Sequence, residues 1–136
     1  MANIYEVNID IENVPQGFVL ASAFSTDMKW IGMPGLMNSL FNITERDTKE
    51  HEVGDVSKID NLYMLFVKES SYDAPIWSAL EKCLTKLANK VSKKGIKKLA
   101  MPRICSGKNG FLWDDVLQMI EEIFNDIDIE IMICYK

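Results

Sequence analysis

Histidine, cysteine, basic charge and long apolar runs are all scarce in this chain, and each scarcity removes a class of function. The single histidine, His51, excludes metal sites built from several imidazoles. Any Ser-His-Asp or Cys-His pair would have to use it, and the polar stretch around it offers no such pattern. Cys83, Cys105 and Cys134 are odd in number and widely spaced, so neither a disulfide framework nor a zinc site is expected. Cys83 and Cys134 read as buried thiols, and no cofactor or metal is implied. No apolar stretch approaches the length that spans a bilayer. The opening MANIYEVNID lacks the basic start and apolar run of a signal peptide, so the expected setting is cytoplasmic, without a membrane partner. Fifteen Lys and Arg against 20 Asp and Glu leave a net charge of −5, which disfavours extended binding along a nucleic-acid backbone. The one basic run, KVSKKGIKKL from Lys90 to Leu99, reads as a helix end, where lysines complement the dipole and Gly95 closes the helix.

What is present is an ordinary globular composition, 48% hydrophobic and 26% charged. A chain of 136 residues is expected to form one domain over 1–136, with no repeat, low-complexity segment or linker. Residues 3–11 place Tyr5, Val7, Ile9 and Ile11 at period two, which predicts a strand. GFVLASAFS (17–25) is a second strand. Gly32, Pro34 and Gly35 then break the chain before a short helix over Leu36 to Phe41. Residues 44–60 read as loop with at most a peripheral strand. LYMLFV (62–67) is continuously apolar, as expected of a strand covered on both faces, and Lys68 ends it. Asp73 and Pro75 announce a helix whose stripe is Ile76, Leu80, Leu84, Leu87 and Val91. IKKLAM (96–101) is the next strand. A helix with Trp113, Val116, Ile120, Ile123 and Phe124 on one side follows, and IDIEIMICY (127–135) alternates as a half-exposed strand. Strands interleaved with helices imply a three-layer α/β domain around a mixed, largely parallel sheet.

Ligands of such sheets gather beyond the carboxyl ends of the strands. Two features converge there. Lys68 follows the most apolar strand; it is either a solvated terminus or an amine in a partly apolar pocket, where desolvation favours the neutral, nucleophilic form. The stretch Cys105–Gly110 links a strand to a helix N-terminus, and its glycines allow the backbone to wrap amides around an anion, although an ordinary turn would have the same composition. Asp114 and Asp115 stabilise the first helical turn but repel a phosphate on its axis. The anion is therefore expected against residues 105–110, with Lys108 offsetting the charge.

The block KKLAMPRICSGKNGFLWDDVLQMIEEIFNDIDIEIMICY, together with VNIDI and LFVKES, resembles the macro domain, an ADP-ribose-binding α/β module. The likeness is to the branch that holds the terminal ADP-ribose protein glycohydrolase and the antitoxins that remove ADP-ribose from DNA. It covers nearly the whole chain and is most specific in the last third. The resemblance implies a three-layer αβα macro-domain fold and a partner that is ADP-ribose or an ADP-ribosylated macromolecule. By position, Asp10 would accept from the adenine amine. Gly32 to Gly35 would form a first loop over the diphosphate and distal ribose, and Cys105, Ser106, Gly107, Lys108, Asn109 and Gly110 a second. Ser22 stands at a polar position of the ligand site. Lys68 matches the branch's catalytic lysine, which attacks the anomeric carbon of the distal ribose. Asn109 takes the place of an aspartate that helps resolve the resulting adduct, and Asn cannot act as a general base. Cys105 replaces the first glycine of the Gly-x-Gly pair, and Ile9 the glycine before Asp10.

The leading expectation is an ADP-ribosyl hydrolase acting on a modified protein or nucleic acid through Lys68, with Asn109 as its second catalytic position. The alternative is a non-catalytic module that reads or sequesters ADP-ribose or a related cyclic nucleotide. A domain kept only for protein interaction, with Trp30 as an exposed anchor, is the third.

Overall fold

The structure is a computed structural model that describes residues 1–27, 33–47 and 49–135. Six strands form one sheet: β1 (Asn3–Val7), β2 (Val19–Ser25), β3 (Val56–Ile59), β4 (Leu62–Lys68), β5 (Lys98–Pro102) and β6 (Glu130–Cys134), in the order β1-β6-β5-β2-β4-β3. Every neighbouring pair is parallel except β3 with β4. Five strands therefore point their carboxyl ends the same way, and the residues just beyond Val7, Ser25, Lys68, Pro102 and Cys134 share one edge of the molecule.

Two helical layers cover the sheet. On one face α3 (Trp77–Lys93) and α4 (Trp113–Ile123) pack against Tyr63, Leu65, Val67, Leu99, Met101 and Ile131. On the other face, α1 (Met33–Phe41), α2 (Ile43–Arg46) and a 3-10 turn at Ile11–Asn13 cover Phe24, Met64, Phe66 and Met132. The continuously apolar run of β4 is explained by this arrangement, since its odd and even residues fill different cores and all six from Leu62 to Val67 are buried. In α3 the predicted stripe holds at Leu80, Leu84, Leu87 and Val91, all fully buried. Each contributes about 1.5–3 kcal/mol relative to exposure. Ile76 does not join them: it is the N-cap, 45% exposed, because the helix begins one residue later.

Several expectations change. The first strand ends at Val7 rather than residue 11, where the chain turns into the 3-10 segment and buries Ile11. The polar segment 44–60 holds the expected peripheral strand as β3, which pairs antiparallel with β4, but also most of the short helix α2, which was not expected. The last strand is not half-exposed. Flanked by β1 and β5 and covered on both faces, β6 buries Ile131, Met132, Ile133 and Cys134. The His51 side chain is largely covered, at 6% exposure: Nε2 lies 2.8 Å from Asp47 Oδ2 and the ring stacks on Phe66 at 4.2 Å, so this residue pins the segment before β3 to the core. No helix among the described residues is long and apolar enough to cross a membrane.

Candidate functional site

A cleft of about 1060 Å³ opens at the carboxyl ends of β2, β4, β5 and β6. Its position follows from topology, because α3 carries the chain from β4 across β2 to β5, and the loops leaving these strands separate.

Lys68 is set by a β-bulge. Phe24 pairs with Phe66 but Ser25 pairs with Lys68, so Val67 is the extra residue on β4. A bulge re-aims the side chain that follows it. The Val67 carbonyl accepts from Ile76 N at 2.9 Å, which anchors the start of α3 beside it. Lys68 Nζ, half-buried in the cleft wall, donates to Ser71 O at 3.1 Å. That carbonyl is itself held. Asp27 Oδ2 accepts from Ser71 N at 3.0 Å, and Asp27 Oδ1 accepts from Ser25 Oγ at 2.7 Å. Asp27 thus ties the end of β2 to the turn that holds the lysine. The turn closes on Asp73, whose Oδ2 accepts from Ser70 N at 3.2 Å. Asp73 is the one carboxylate among the described residues lining the cleft. Ser71 Oγ is buried beside the cleft with no hydrogen-bond partner among the described residues.

The opposite wall is the loop after β5. Phe111 N donates to Cys105 O at 2.7 Å and Gly110 N to Gly107 O at 2.9 Å, closing a tight ring of backbone. A Cβ on Gly110 would stand 2.2 Å from Cys105 O, so only glycine fits. A Cβ on Gly107 would meet nothing within 4 Å, so that glycine is not required by packing. Cys105 occupies the left-handed region at φ 57°, the conformation glycine adopts without cost. The thiol is held there by packing against the α3/α4 core. Burial pushes it up to about 12, the Cys83 thiol adds to the rise, and the charge of Lys68 opposes it. Cys105 is therefore a neutral wall residue at neutral pH, not a nucleophile. Among the described residues, the backbone amides of 105–109 donate to no protein group. The loop that lines the cleft therefore carries a run of amides free to donate, the kind of backbone from which anion sites are built.

Tyr135 and Arg103 extend the cleft on the β6 side. The Arg103 guanidinium lies 4.4 Å above the Tyr135 ring, and Glu6 Oε1 accepts from Arg103 Nε at 2.9 Å and Trp113 Nε1 at 3.0 Å. The sequence alone did not single out Asp27, Ser71, Asp73, Arg103 or Tyr135. The available signal was positional: each lies within a few residues of a parallel strand's carboxyl end.

Of the residues proposed from the sequence, Lys68, Ser22, Cys105, Ser106, Gly107, Lys108, Asn109 and Gly110 line this one cleft. Ser22 is buried in its floor at 2% exposure. Asp10 and Gly35 are not among the lining residues; Asp10 caps the 3-10 turn after β1, and in α1 Met33 and Pro34 face the cleft instead. Gly32 and Trp30 lie outside the described residues. No group of three His, Cys, Asp or Glu that could hold a metal occurs among the described residues.

Fold and cleft describe an α/β module whose cleft is lined by a loop with free amides and by an amine. The macro-domain family model matches residues 67–120, which run from the bulge before Lys68 through the second loop into α4, and the fold is the one seen in solved macrodomains. It is 28% identical over 138 residues to ADP-ribose glycohydrolase OARD1 of Homo sapiens, covering 97% of this chain and 91% of that protein. Its fold matches the macrodomain of Thermus aquaticus DarG at a TM-score of 0.83 and 15% identity, over the whole of both chains. It also matches Thermosipho africanus DarTG in complex with ADP-ribose at a TM-score of 0.77 and 18% identity, over 97% of this chain and 41% of that one.

Proposed function

We propose that the cleft binds ADP-ribose and that the protein removes it from a modified macromolecule with Lys68 as nucleophile. The observation that carries this reading is the placement of Lys68 and the free amides of 105–109 on facing walls of one cleft. The amides hold the diphosphate, with Lys108 adding charge. The Tyr135 ring under Arg103 offers a flat surface to the purine. The likeness to OARD1 and to DarTG supports the choice of ligand.

In the first step the deprotonated Lys68 amine attacks the anomeric carbon of the distal ribose. The N–C bond forms, the C–O bond to the macromolecule breaks with the leaving oxygen keeping its electron pair, the nitrogen gives a proton to solvent, and the sugar ring opens to the C=N adduct that borohydride reduces. Water then adds to the same carbon, the N–C bond breaks, and free ADP-ribose leaves with the amine restored. The second step needs a proton acceptor that Asn109 cannot be. Asp73, across the turn from Lys68, takes that role in this reading.

Calorimetric titration with ADP-ribose tests the binding step, and borohydride trapping with mass spectrometry tests the adduct on Lys68. The expected results are a saturable heat and an adduct lost in Lys68→Ala. An ADP-ribosylated glutamate peptide and ADP-ribosylated thymidine DNA both left intact by wild type would reject the hydrolase. The exposed Asn109 favours a second reading, in which the same cleft sequesters ADP-ribose or a cyclic relative without turnover; saturable binding with the ligand recovered intact would establish it.

A further inference from the structure

We infer that the groove between α3 and α4 docks a basic polypeptide segment, so that the macromolecule presented to the cleft is a protein with Lys or Arg near its modified residue. The second clause rests on the reading of the cleft given above; the first does not. The groove encloses about 510 Å³. Its wall is aromatic: Trp77 at the start of α3 and Phe111 just before α4 meet edge to face at 4.8 Å and 80°, with Trp77 40% exposed. Its rim is acidic, with exposed Glu81, Asp115 and Glu122, and no basic residue among the described residues lines it.

The lysines of α3 near this level are directed elsewhere. Lys86 pairs with Asp55 at 3.8 Å, and Lys82 packs its stem against Gly54, on the side of the helix facing β3. The groove is therefore left with three carboxylates that form no ion pair among the described residues, Glu122 accepting only from Gln118 Nε2 at 3.1 Å, beside the partly exposed Trp77. That combination recognises an ammonium or guanidinium, which gains from the ring and the carboxylate together. A phosphodiester backbone would be repelled by the same three carboxylates. The groove also abuts the cleft. Phe111 follows Gly110, and Trp77 is two residues beyond Pro75, and both Gly110 and Pro75 line the cleft. A chain whose ADP-ribose fills the cleft has its flanking residues over this acidic, aromatic surface.

The test uses fluorescence anisotropy at low ionic strength with three labelled probes: a 12-residue peptide alternating Lys and Gly, its Glu counterpart, and a single-stranded DNA oligonucleotide. The expected result is saturable binding of the Lys peptide alone, weakened by added NaCl. Trp77→Ala and the double variant Glu81→Gln/Glu122→Gln should each weaken it about tenfold. The double variant changes only exposed side chains, so it decides the matter even where Trp77→Ala perturbs folding. Binding of the Glu peptide or the DNA as tightly as the Lys peptide, or unchanged affinity in the double variant, overturns the docking surface. Titration of free ADP-ribose into the same preparations separates the two readings. Normal ADP-ribose binding without peptide selectivity overturns the groove alone. Lys-peptide binding without ADP-ribose heat supports the groove and overturns the cleft.

Discussion

The cleft and the α3/α4 groove share a border, yet they are built from different material. The cleft gets its anion-binding character from backbone: amides left free by the ring that Gly110 and Cys105 close. The groove gets its character from side chains on two regular helices, exposed and replaceable. A backbone site depends on conformation and is damaged by any residue that cannot adopt it. A side-chain site depends on charge and shape and can be retuned one residue at a time without touching the fold. On the proposed readings, tight geometry falls where a diphosphate is held, and loose geometry where a variable partner is met.

The sharpest way to break this comparison is to remove the side chain on which the proposed hydrolase depends. Lys68→Ala should slow turnover on the order of 10⁴-fold while leaving ADP-ribose affinity within a few-fold, as measured by single-turnover assay and calorimetry. Asp73→Asn keeps the acceptor for Ser70 N but removes the base. It should slow release about 10²-fold and let the lysyl adduct accumulate in the borohydride trap. An unchanged adduct level would return that role to another group.

The two glycines of the loop make a paired test. Gly110→Ala places a methyl 2.2 Å from Cys105 O, so it should cost roughly 2–3 kcal/mol in denaturant unfolding and abolish ADP-ribose binding. Gly107→Ala meets open space and should stay within about 0.5 kcal/mol of wild type in stability. Any loss of ligand affinity in Gly107→Ala then reports the ligand's own approach to that amide. Equal destabilisation by both would show that the loop is not closed through Gly110.

The smallest effect is a pH dependence. Burial pushes the Cys83 and Cys105 thiols up to about 12 and Cys134 to about 11, from an ordinary value of 9.0. The folded state holds these protons more tightly than the unfolded chain, so their contribution to stability is complete below pH 9. It is lost as pH rises from 9 toward 12. Urea midpoints should therefore fall above pH 9 and change little from these groups below it. Iodoacetamide should label Cys105 slowly at pH 7.5 in the folded protein.

Much of the fold was legible because burial on two faces and burial on one leave different patterns. The six apolar residues of β4 and the spacing of Leu80, Leu84, Leu87 and Val91 state their environments directly. Residues 130–134 misled because Glu130 and the alternation before it resemble an edge strand, while long-range pairing with β1 and β5 puts them in the middle of the sheet. The loop around Gly107 and Gly110 was legible as a candidate site. The reason for each glycine was not, since the clash at Gly110 involves a carbonyl five residues away whose position depends on the closed ring. His51 was read as unremarkable because Asp47 and Phe66 become its neighbours only when the chain folds.

By itself, the order of residues determined the alternation of strands and helices, the terminal lysine of the most buried strand, and a glycine-bearing turn before a helix. These are local properties, written in periodicity and backbone preference. Tertiary structure decided which strand ends meet, that Asp27 and Ser71 hold Lys68, and that Glu81, Asp115 and Glu122 gather beside two rings. Those facts depend on contacts between residues far apart in the chain, and only the packing of both helical layers on one sheet brings them into place.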